Sequence, residues 1–352
     1  MIKNKIVKLL SSAFLLTFIL SFTSCSDLIY DGEETCPTWV KFVFTKNRQA
    51  LRTINGVGAD AFSNSVTSVH LFVIDTESGE LVFSKTEQTK NLKDHCMMPV
   101  DLQPGKYTFI AWCGLDANDE NNAYILQHNY TTRATGDNCH LKMAATGEPV
   151  HDEQYDAVYQ GTTHVRLAEQ GEMVEIELTK NTNDIAVWIQ HPYASLADGD
   201  YEVVYQDANG TMDFTTNMVT SEDEMLTYKA HTKELLNTST EYNGERLESG
   251  AMIAHLSVNR LMATHADNAR IVIRAKDGTE VFAIPFIKYL LEMQTFTKAG
   301  TNKNQQWYLD CEDTYYCSFY FTGYDQTWTP VRIIVNNWVK VPDQDETVTG
   351  GE

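Results

Sequence analysis

Hydrophobic and polar residues alternate along most of the chain, and this period of two is typical of β-strands rather than of helices. In residues 69–75, the side chains of Val69, Leu71 and Val73 would all lie on one face of a strand. Further strand patterns lie at residues 106–113, 174–178, 185–189, 201–206, 271–276 and 331–335. Short strands that are separated by turn residues predict an all-β sandwich fold.

Three turn sequences predict hairpins between neighbouring strands. The predicted hairpins join residues 69–75 to 80–85, 201–206 to 211–214, and 271–276 to 279–284. The last of these turns is Asp-Gly, which suits a type I′ turn because both residues tolerate a positive φ. One segment has a helical period instead: Phe286, Tyr289 and Leu290 share a face of a short helix that we predict at residues 284–294.

The domain organisation follows from a break in the strand pattern. A polar stretch that contains Gly171 precedes a new series of strands and predicts a domain boundary. Together with the length of the chain, it predicts two tandem β-sandwich domains at residues 25–170 and 171–341, the second with one short helix. Residues 342–352 are polar and acidic, so we predict a disordered tail there.

The first residues have the layout of a lipoprotein signal peptide. Three lysines precede an apolar run at residues 9–22, and small residues lead from this run to Cys25. The run is shorter than the roughly 20 residues that a transmembrane helix needs. We therefore expect removal of residues 1–24 and acylation of Cys25, which would anchor a soluble body through its lipids. The alternatives are an ordinary signal peptide and an uncleaved membrane helix.

Charge and motifs limit the chemistry. The chain carries 27 basic and 48 acidic residues, a formal net charge of −21, so its surface repels nucleic acid and anionic headgroups. The ten histidines accompany no nucleophile elbow, phosphate loop or dinucleotide motif. The abundant carboxylates could form a glycosidase pair, and the acidic residues at 115–129 could bind calcium, but ordinary surface charge explains both. We predict a non-enzymatic protein with no cofactor and no metal.

Cysteine content leaves two interpretations open. Besides Cys25, the chain has Cys36, Cys96, Cys113, Cys139, Cys311 and Cys317. An even number in an exported protein permits three disulfides, and Cys311 and Cys317 are close enough in sequence for a local bridge. Buried free thiols are the alternative, because cysteine is often buried without a structural partner.

Four stretches carry a family resemblance. They are ADAFSNSVTSVHLFVIDTESGELV at residues 59–82, LQPGKYTFIAWCGL at 102–115, YLDCEDTYYCSFYF at 308–321 and WTPVRIIVNNWVKV at 328–341. In this order, and behind a lipoprotein signal, they resemble the FimB-type fimbrial anchor family of Bacteroidales-type fimbriae. The resemblance covers nearly the whole chain. Cys311 departs from it, because the family often has arginine after Tyr-Leu-Asp.

The resemblance implies two transthyretin-like β-sandwich domains in a lipoprotein of the outer membrane, exposed at the cell surface. The protein would anchor the base of a fimbrium, help to limit filament length and bind a fimbrial stalk subunit. Assembly in this family resembles donor-strand exchange, in which one subunit completes the sandwich of the next. The candidate exchange residues are Val331, Ile333 and Val335, whose strand could equally close the second sandwich. Arg48 and Arg52 are interpreted as loop residues, because cleavage there would separate the body from the lipid.

The alternative function is a surface lipoprotein that binds glycans for polysaccharide uptake. It would need an exposed aromatic platform, for which the candidates are Trp112, Trp188, Trp307, Trp328 and Trp338. Most of these tryptophans lie within strand patterns, where packing in a core is the better explanation. A third class, a secreted hydrolase, would need a pocket with paired carboxylates of shifted pKa.

Overall fold

The computed structural model describes residues 37–46, 60–92, 96–115, 124–126, 140–143, 150–192, 194–219, 224–292, 305–322, 329–335 and 338–340. Within these residues the protein is mostly β, with few and short helices. None of those helices has the length and apolar content that crossing a bilayer requires. The predicted signal peptide, Cys25 and the acidic tail lie outside the described residues.

The first half of the chain builds one sandwich. The elements of this half are β1 (Thr38–Val43), α1 (Phe62–Ser65), β2 (Ser68–Asp75), β3 (Leu81–Gln88), β4 (Met97–Val100), β5 (Gly105–Cys113), β6 (Tyr124–Leu126), β7 (His140–Met143), β8 (Val150–His151), β9 (Tyr159–Leu167), β10 (Met173–Glu177) and β11 (Thr179–Lys180). Of these, β6, β7 and β8 pair in sheets outside this sandwich. A three-stranded sheet, β10-β1-β4, packs against a five-stranded sheet, β11-β9-β5-β2-β3. Alternate side chains such as Val40, Phe42, Val69 and Leu71 fill the core between them.

The second half builds another sandwich. The elements of this half are β12 (Thr182–His191), β13 (Tyr201–Asp207), β14 (Thr211–Asp213), β15 (Leu226–Lys229), β16 (Thr232–Tyr242), β17 (Glu245–Asn259), β18 (Arg270–Ala275), β19 (Glu280–Pro285), α2 (Phe286–Glu292), α3 (Gln305–Asp310), β20 (Thr314–Thr322), β21 (Thr329–Val335) and β22 (Trp338–Lys340). Of these, β14 pairs outside this sandwich. Sheet β16-β17-β12-β20-β21-β22 packs against sheet β19-β18-β13-β15-β8. The core contains Ile185, Val187 and Tyr205, and α2 adds Phe286 and Leu290. The predicted all-β class with two β-sandwiches is therefore confirmed.

One predicted hairpin is wrong. The strands at 201–206 and 211–214 are not partners: β13 pairs with β15 and β18, whereas β14 pairs with β7 in a separate small sheet, β14-β7-β6. The residues between the two strands are fixed by tertiary contacts instead. Tyr228 donates its hydroxyl hydrogen to the side-chain oxygen of Asn209, and the Asn209 amide donates to the backbone oxygen of Arg260.

The Asp-Gly hairpin forms, but with a different turn. Strands β18 and β19 pair antiparallel as predicted. Only Gly278 has a positive φ, +86°, whereas a type I′ turn needs a positive φ at Asp277 as well. The Gly278 N–H donates to the backbone oxygen of Ala275 at 2.9 Å, and the register shifts after Ile273. The loop is therefore a three-residue connection with a left-handed glycine and a bulge.

The domain boundary predicted at residue 170/171 also needs correction. Strand β10 comes after that point, yet it pairs in parallel with β1 and places Val174 and Ile176 in the first core. The continuous series of second-core strands begins with β12. The short β8, from before the predicted boundary, pairs with β15 of the second sandwich. Such non-local pairings leave no signal in the composition of the connecting segment. The predicted helix forms as α2, and α3 is a second helix in the same half.

Candidate functional site

The N-terminal strand β1 lies in the middle of its sheet. It pairs in parallel with β10 on one side and antiparallel with β4 on the other. Val40 and Phe42 are fully buried, and the ring of Phe42 stacks on that of Phe62 at a centroid distance of 5.7 Å. Removal of β1 would leave two separated strands and an open apolar groove, so the first sandwich depends on this strand.

Two carboxylates fix the chain just after β1. Glu177 accepts hydrogen bonds from the backbone N–H and the hydroxyl of Thr45, at 2.8 and 2.6 Å. Asp60 accepts the backbone N–H groups of both Phe44 and Phe62, each at 2.9 Å. The two ends of the segment 47–59 are thereby held together. Arg48 and Arg52 belong to that segment, which lies outside the described residues.

The predicted exchange residues lie near the C-terminus of the second sandwich. Val331, Ile333 and Val335 belong to β21, which pairs antiparallel with β20 and with β22. In this register Ile333 is opposite Phe319, and Val335 is opposite Cys317. Strand β21 is therefore second from the edge of its sheet, and β22 forms the edge.

A long hairpin that the strand pattern did not predict forms the opposite edge of the same sheet. Strands β16 and β17 pair over eleven positions, and Asn243 and Gly244 connect them with φ values of 53° and 83°. The Asn-Gly pair was the signal that could have revealed it. Every residue of β16 is exposed, including Leu236 and Tyr242.

An apolar cluster joins the first sandwich to the segment around β14, which comes from the second half of the chain. Phe72 and Trp112 lie on the outer face of the first five-stranded sheet, and Phe214, which follows β14, packs against both rings. The Trp112 indole N–H donates to the backbone oxygen of Phe214 at 3.0 Å. Beside it, the Thr162 hydroxyl donates to the backbone oxygen of Thr215 at 2.6 Å. The outer face of this sheet therefore packs against residues from the second half of the chain.

Polar groups extend this contact. The side-chain amides of Asn181 and Asn217 exchange hydrogen bonds at 2.6 and 2.9 Å. Arg260 donates to the backbone oxygen of Asn217. It also makes a bidentate ion pair with the carboxylate of Asp310, with distances of 2.8 and 2.7 Å. Because these groups are almost fully buried and their geometry is specific, they fix one relative arrangement of the segments that carry them.

One histidine–carboxylate pair has the geometry of a catalytic couple. His265 Nδ1 lies 2.6 Å from Asp207 Oδ1, and the hydroxyl of Tyr205 donates to the other carboxylate oxygen at 2.8 Å. All three side chains are buried, and burial raises the pKa of Tyr205 well above its usual value. The pair is therefore enclosed in the interior, where it satisfies buried polar groups and has no access to a substrate.

The carboxyl groups whose pKa is shifted do not have the properties of a general acid. Among the described residues, the shifted carboxyls are Asp75, Glu87, Glu202 and Asp277, and all four pKa values are lowered. Backbone N–H donors from a turn lower the pKa of Asp75 and Asp277. No group of three or more metal-binding side chains occurs in this part of the chain. The acidic loop proposed for calcium lies mostly outside it.

Most of the described cysteines are buried, and the tryptophans whose side chains the structure describes are buried or half-buried. Cys311 and Cys317 are buried and are not joined by a disulfide in the structure. Burial raises the pKa of the Cys113 and Cys317 thiols. Trp112 is buried, and Trp188 and Trp307 are half-buried, so no tryptophan side chain that the structure describes stands exposed as a glycan platform. Cys36, Cys139 and Trp328 lie outside the described residues.

Comparison with solved structures identifies relatives of the whole fold. A candidate adhesin from Bacteroides thetaiotaomicron matches with a TM-score of 0.72 and 23% identity, over 88% of this chain and 99% of that one. A candidate polysaccharide-binding protein of the same organism matches with a TM-score of 0.69 and 23% identity, over 89% and 100%. The fimbrial anchor protein Mfa2 from Porphyromonas gingivalis matches with a TM-score of 0.61 and 16% identity, over 86% and 98%. At these identities the matches establish the fold alone.

The family is established by sequence. The model of the fimbrillin-A associated anchor proteins Mfa1 and Mfa2 matches residues 33–343, which is nearly the whole chain. Comparison with curated proteins gives no match. The resemblance to fimbrial anchors found in the sequence is confirmed by the family match. The chain therefore belongs to the family of fimbrillin-A associated anchor proteins, a structural rather than an enzymatic family that works at the cell surface with fimbrial subunits.

Proposed function

We propose that this protein is a lipid-anchored subunit that holds the base of a fimbrium in the outer membrane. The position of β1 is the observation that carries the proposal. Only residues 26–37 separate Cys25 from the first residue of this central, buried strand, Thr38. Lipids on Cys25 would thus be connected directly to the core of the first sandwich. Two or more acyl chains are sufficient for stable attachment to a membrane.

The hydrogen bonds around segment 47–59 support retention of the N-terminal strand. Asp60 and Glu177 hold the chain on both sides of this segment, next to Arg48 and Arg52. Loss of β1 would expose the apolar side chains that face Val40 and Phe42, which is unfavourable unless another strand replaces it. An anchor that keeps β1 has a complete first sandwich, and its contact with the filament must lie elsewhere.

Replacement of Cys25 tests the anchor role. In cells that make Cys25→Ala, we expect fimbriae to be released into the medium, because the base has no lipid attachment. Cys36→Ala is the matched control, since it removes a nearby cysteine and leaves the acylation site intact. The measurement is the ratio of cell-bound to shed filaments, with the mass of the N-terminal peptide. Retention of fimbriae by Cys25→Ala cells at the control level would overturn the proposal.

The strand-exchange part of the proposal concerns β21 and a fimbrial stalk subunit. A strand added to a sandwich gains affinity from backbone hydrogen bonds and register from alternate side chains in pockets. Val331, Ile333 and Val335 have this alternate spacing near the end of the chain. Such a contact, made only at the base, would also affect filament length.

Substitutions on the two faces of β21 test this contact. We expect Ile333→Asp to abolish capture of the stalk subunit, because one alternate face of the strand would no longer fit an apolar pocket. Arg332→Asp is the control on the neighbouring position, whose side chain belongs to the opposite face. Thermal unfolding of both variants shows whether the sandwich is intact. Equal capture by a folded Ile333→Asp variant and the control would refute a role of this face.

A further inference from the structure

The outer edge of β16 has the properties of a site for strand addition. Strand β16 pairs with β17 on one side, and it ends the six-stranded sheet on the other. All eleven of its residues are exposed, and residues 235–240, Leu-Leu-Asn-Thr-Ser-Thr, contain no charge, proline or glycine. Edge strands are usually protected by short length, bulges, proline or inward charges, because their free N–H and C=O groups recruit other strands. The central part of β16 lacks these protections.

Half of the hairpin extends beyond the body of the sheet. The ladder between β12 and β17 ends at the pair His191–Gly250, so residues 238–249 form a ribbon of two strands. The ribbon is fixed at its base, because the Asn237 side chain exchanges hydrogen bonds with the backbone of Leu196 at 2.9 and 2.8 Å. An isolated two-stranded ribbon is at best marginally stable in water. A third strand along β16 would stabilise it.

The turn determines which backbone groups of β16 are available. In a two-residue Asn-Gly hairpin, the flanking residues Tyr242 and Glu245 form the first hydrogen-bonded pair. Pairs alternate along an antiparallel ladder, so the even-numbered residues of β16 bond to β17. The odd-numbered residues, 233 to 241, therefore direct their N–H and C=O groups to the free edge.

We propose that this edge pairs antiparallel with β16 of a second copy of the chain, around a two-fold axis at Asn237. This register places odd positions opposite odd positions, so the outward N–H and C=O groups meet as hydrogen-bonded pairs. It also places Lys233 opposite Glu241 of the second copy, twice per interface. No like charges are opposite each other in it, since Glu234 faces a threonine.

The charged residues Lys233 and Glu241 favour a second copy of the chain as the partner, in this register. A two-fold axis moved by one residue, to Leu236 or Thr238, would leave both Lys233 and Glu241 without an opposite charge. The net charge of −21 opposes association at long range, but screening limits this repulsion to about 8 Å at physiological salt. The resulting dimer has one sheet that continues across both copies. The inference does not depend on the proposed anchor role.

Zero-length cross-linking tests the register directly. A carbodiimide joins a lysine amine to a carboxylate in direct contact, and we expect a Lys233–Glu241 cross-link. Within one chain these residues are eight positions apart on an extended strand, roughly 26 Å, so an intramolecular link is out of reach. The full-length mature protein is mixed as ¹⁴N and ¹⁵N forms, and the cross-linked peptides should contain both isotopes. A dimer whose cross-links connect other residues, or a protein that stays monomeric at its highest soluble concentration, would overturn the proposal.

Charge reversal gives a second, independent test by sedimentation equilibrium. Lys233→Glu should weaken dimerisation about tenfold, because two attractive cross-strand pairs become repulsive. Adding Glu241→Lys should restore it, because the pairs are attractive again with their signs exchanged. Lys90→Glu is the matched control, since it changes the net charge equally at an exposed position of the first sandwich. An equal effect of Lys90→Glu, or no rescue by the second substitution, would refute the proposed pairing.

Discussion

Phe214 is the residue whose removal should weaken the contact between the first sandwich and the second half of the chain. It is almost fully buried, and its ring packs edge-on against Phe72 at a centroid distance of 4.9 Å and in a tilted arrangement against Trp112 at 5.7 Å. Truncation of a buried phenylalanine to alanine costs roughly 3–5 kcal/mol. Each aromatic contact accounts for about 0.5–1.5 kcal/mol of that loss. We therefore expect Phe214→Ala to lower the free energy of unfolding by this amount and to separate one thermal transition into two.

Calorimetry and tryptophan fluorescence measure these two effects. Water that enters the vacated site should shift the emission of Trp112 to longer wavelength. Phe282→Ala is the control, because Phe282 is also buried and packs edge-on against Phe319, but it lies in the core of the second sandwich. It should cost a similar free energy without a change in the Trp112 environment. A loss below about 1 kcal/mol for Phe214→Ala, with unchanged emission, would refute the account of the interface.

Three further predictions concern buried charge, thiols and pH. Arg260→Ala should destabilise the protein by roughly 3–5 kcal/mol in urea unfolding, because it leaves the buried carboxylate of Asp310 without a charged partner and with only the Gln306 amide as a hydrogen-bond donor. In alkylation followed by mass spectrometry, Cys317 should react only on unfolding, since burial raises its pKa, whereas the half-buried Cys96 should react earlier. Burial alone would raise the pKa of Glu202, but hydrogen bonds and charges from a lysine and an arginine lower it below its usual value. Its stabilising contribution is present above the usual glutamate pKa and is lost as the pH falls through the lowered one, so Glu202→Gln should flatten the acid part of the stability curve.

Matched variants make these results specific. Arg260→Lys keeps the positive charge but cannot make the bidentate ion pair with Asp310. The stability of this variant should therefore lie between those of the native protein and of Arg260→Ala. Rapid alkylation of Cys317 in the folded protein would contradict its burial. For the acid dependence, Glu280→Gln is the control, because its carboxylate is 4.0 Å from Arg270 at the surface. Equal flattening by Glu280→Gln would contradict the assignment to Glu202.

The sequence predicted those strands whose burial is one-sided or complete. In β10 the apolar positions recur every second residue, because one face of the strand packs on a core, whereas β2 is buried on both faces and is apolar at every position from Leu71 to Ile74. Strand β16 has no buried face, so no period marks it, and only its Asn-Gly turn was informative. The local pattern also failed at residues 201–214, where the partner of β14 is β7, some seventy positions earlier. Pairings of this kind are decided by tertiary packing.

The candidate site was predictable in part. The position of β21 near the C-terminus follows from its alternating valines and isoleucines. The interface between the halves was not predictable, because Phe72 and Trp112 have the same strand spacing as core residues of the first sandwich. Nothing in a single sequence distinguishes a strand face that covers its own core from one that covers a neighbouring segment.

The central position of β1 determines how the first sandwich responds to mechanical load. A force applied at Thr38 acts on the β10 ladder and the β4 ladder at the same time. An edge strand can peel away from a single neighbour, one hydrogen bond after another. Extraction of β1 instead requires both ladders to break while Val40 and Phe42 leave the core. The strand that begins the described chain is thus the one best placed to carry tension into the rest of the molecule.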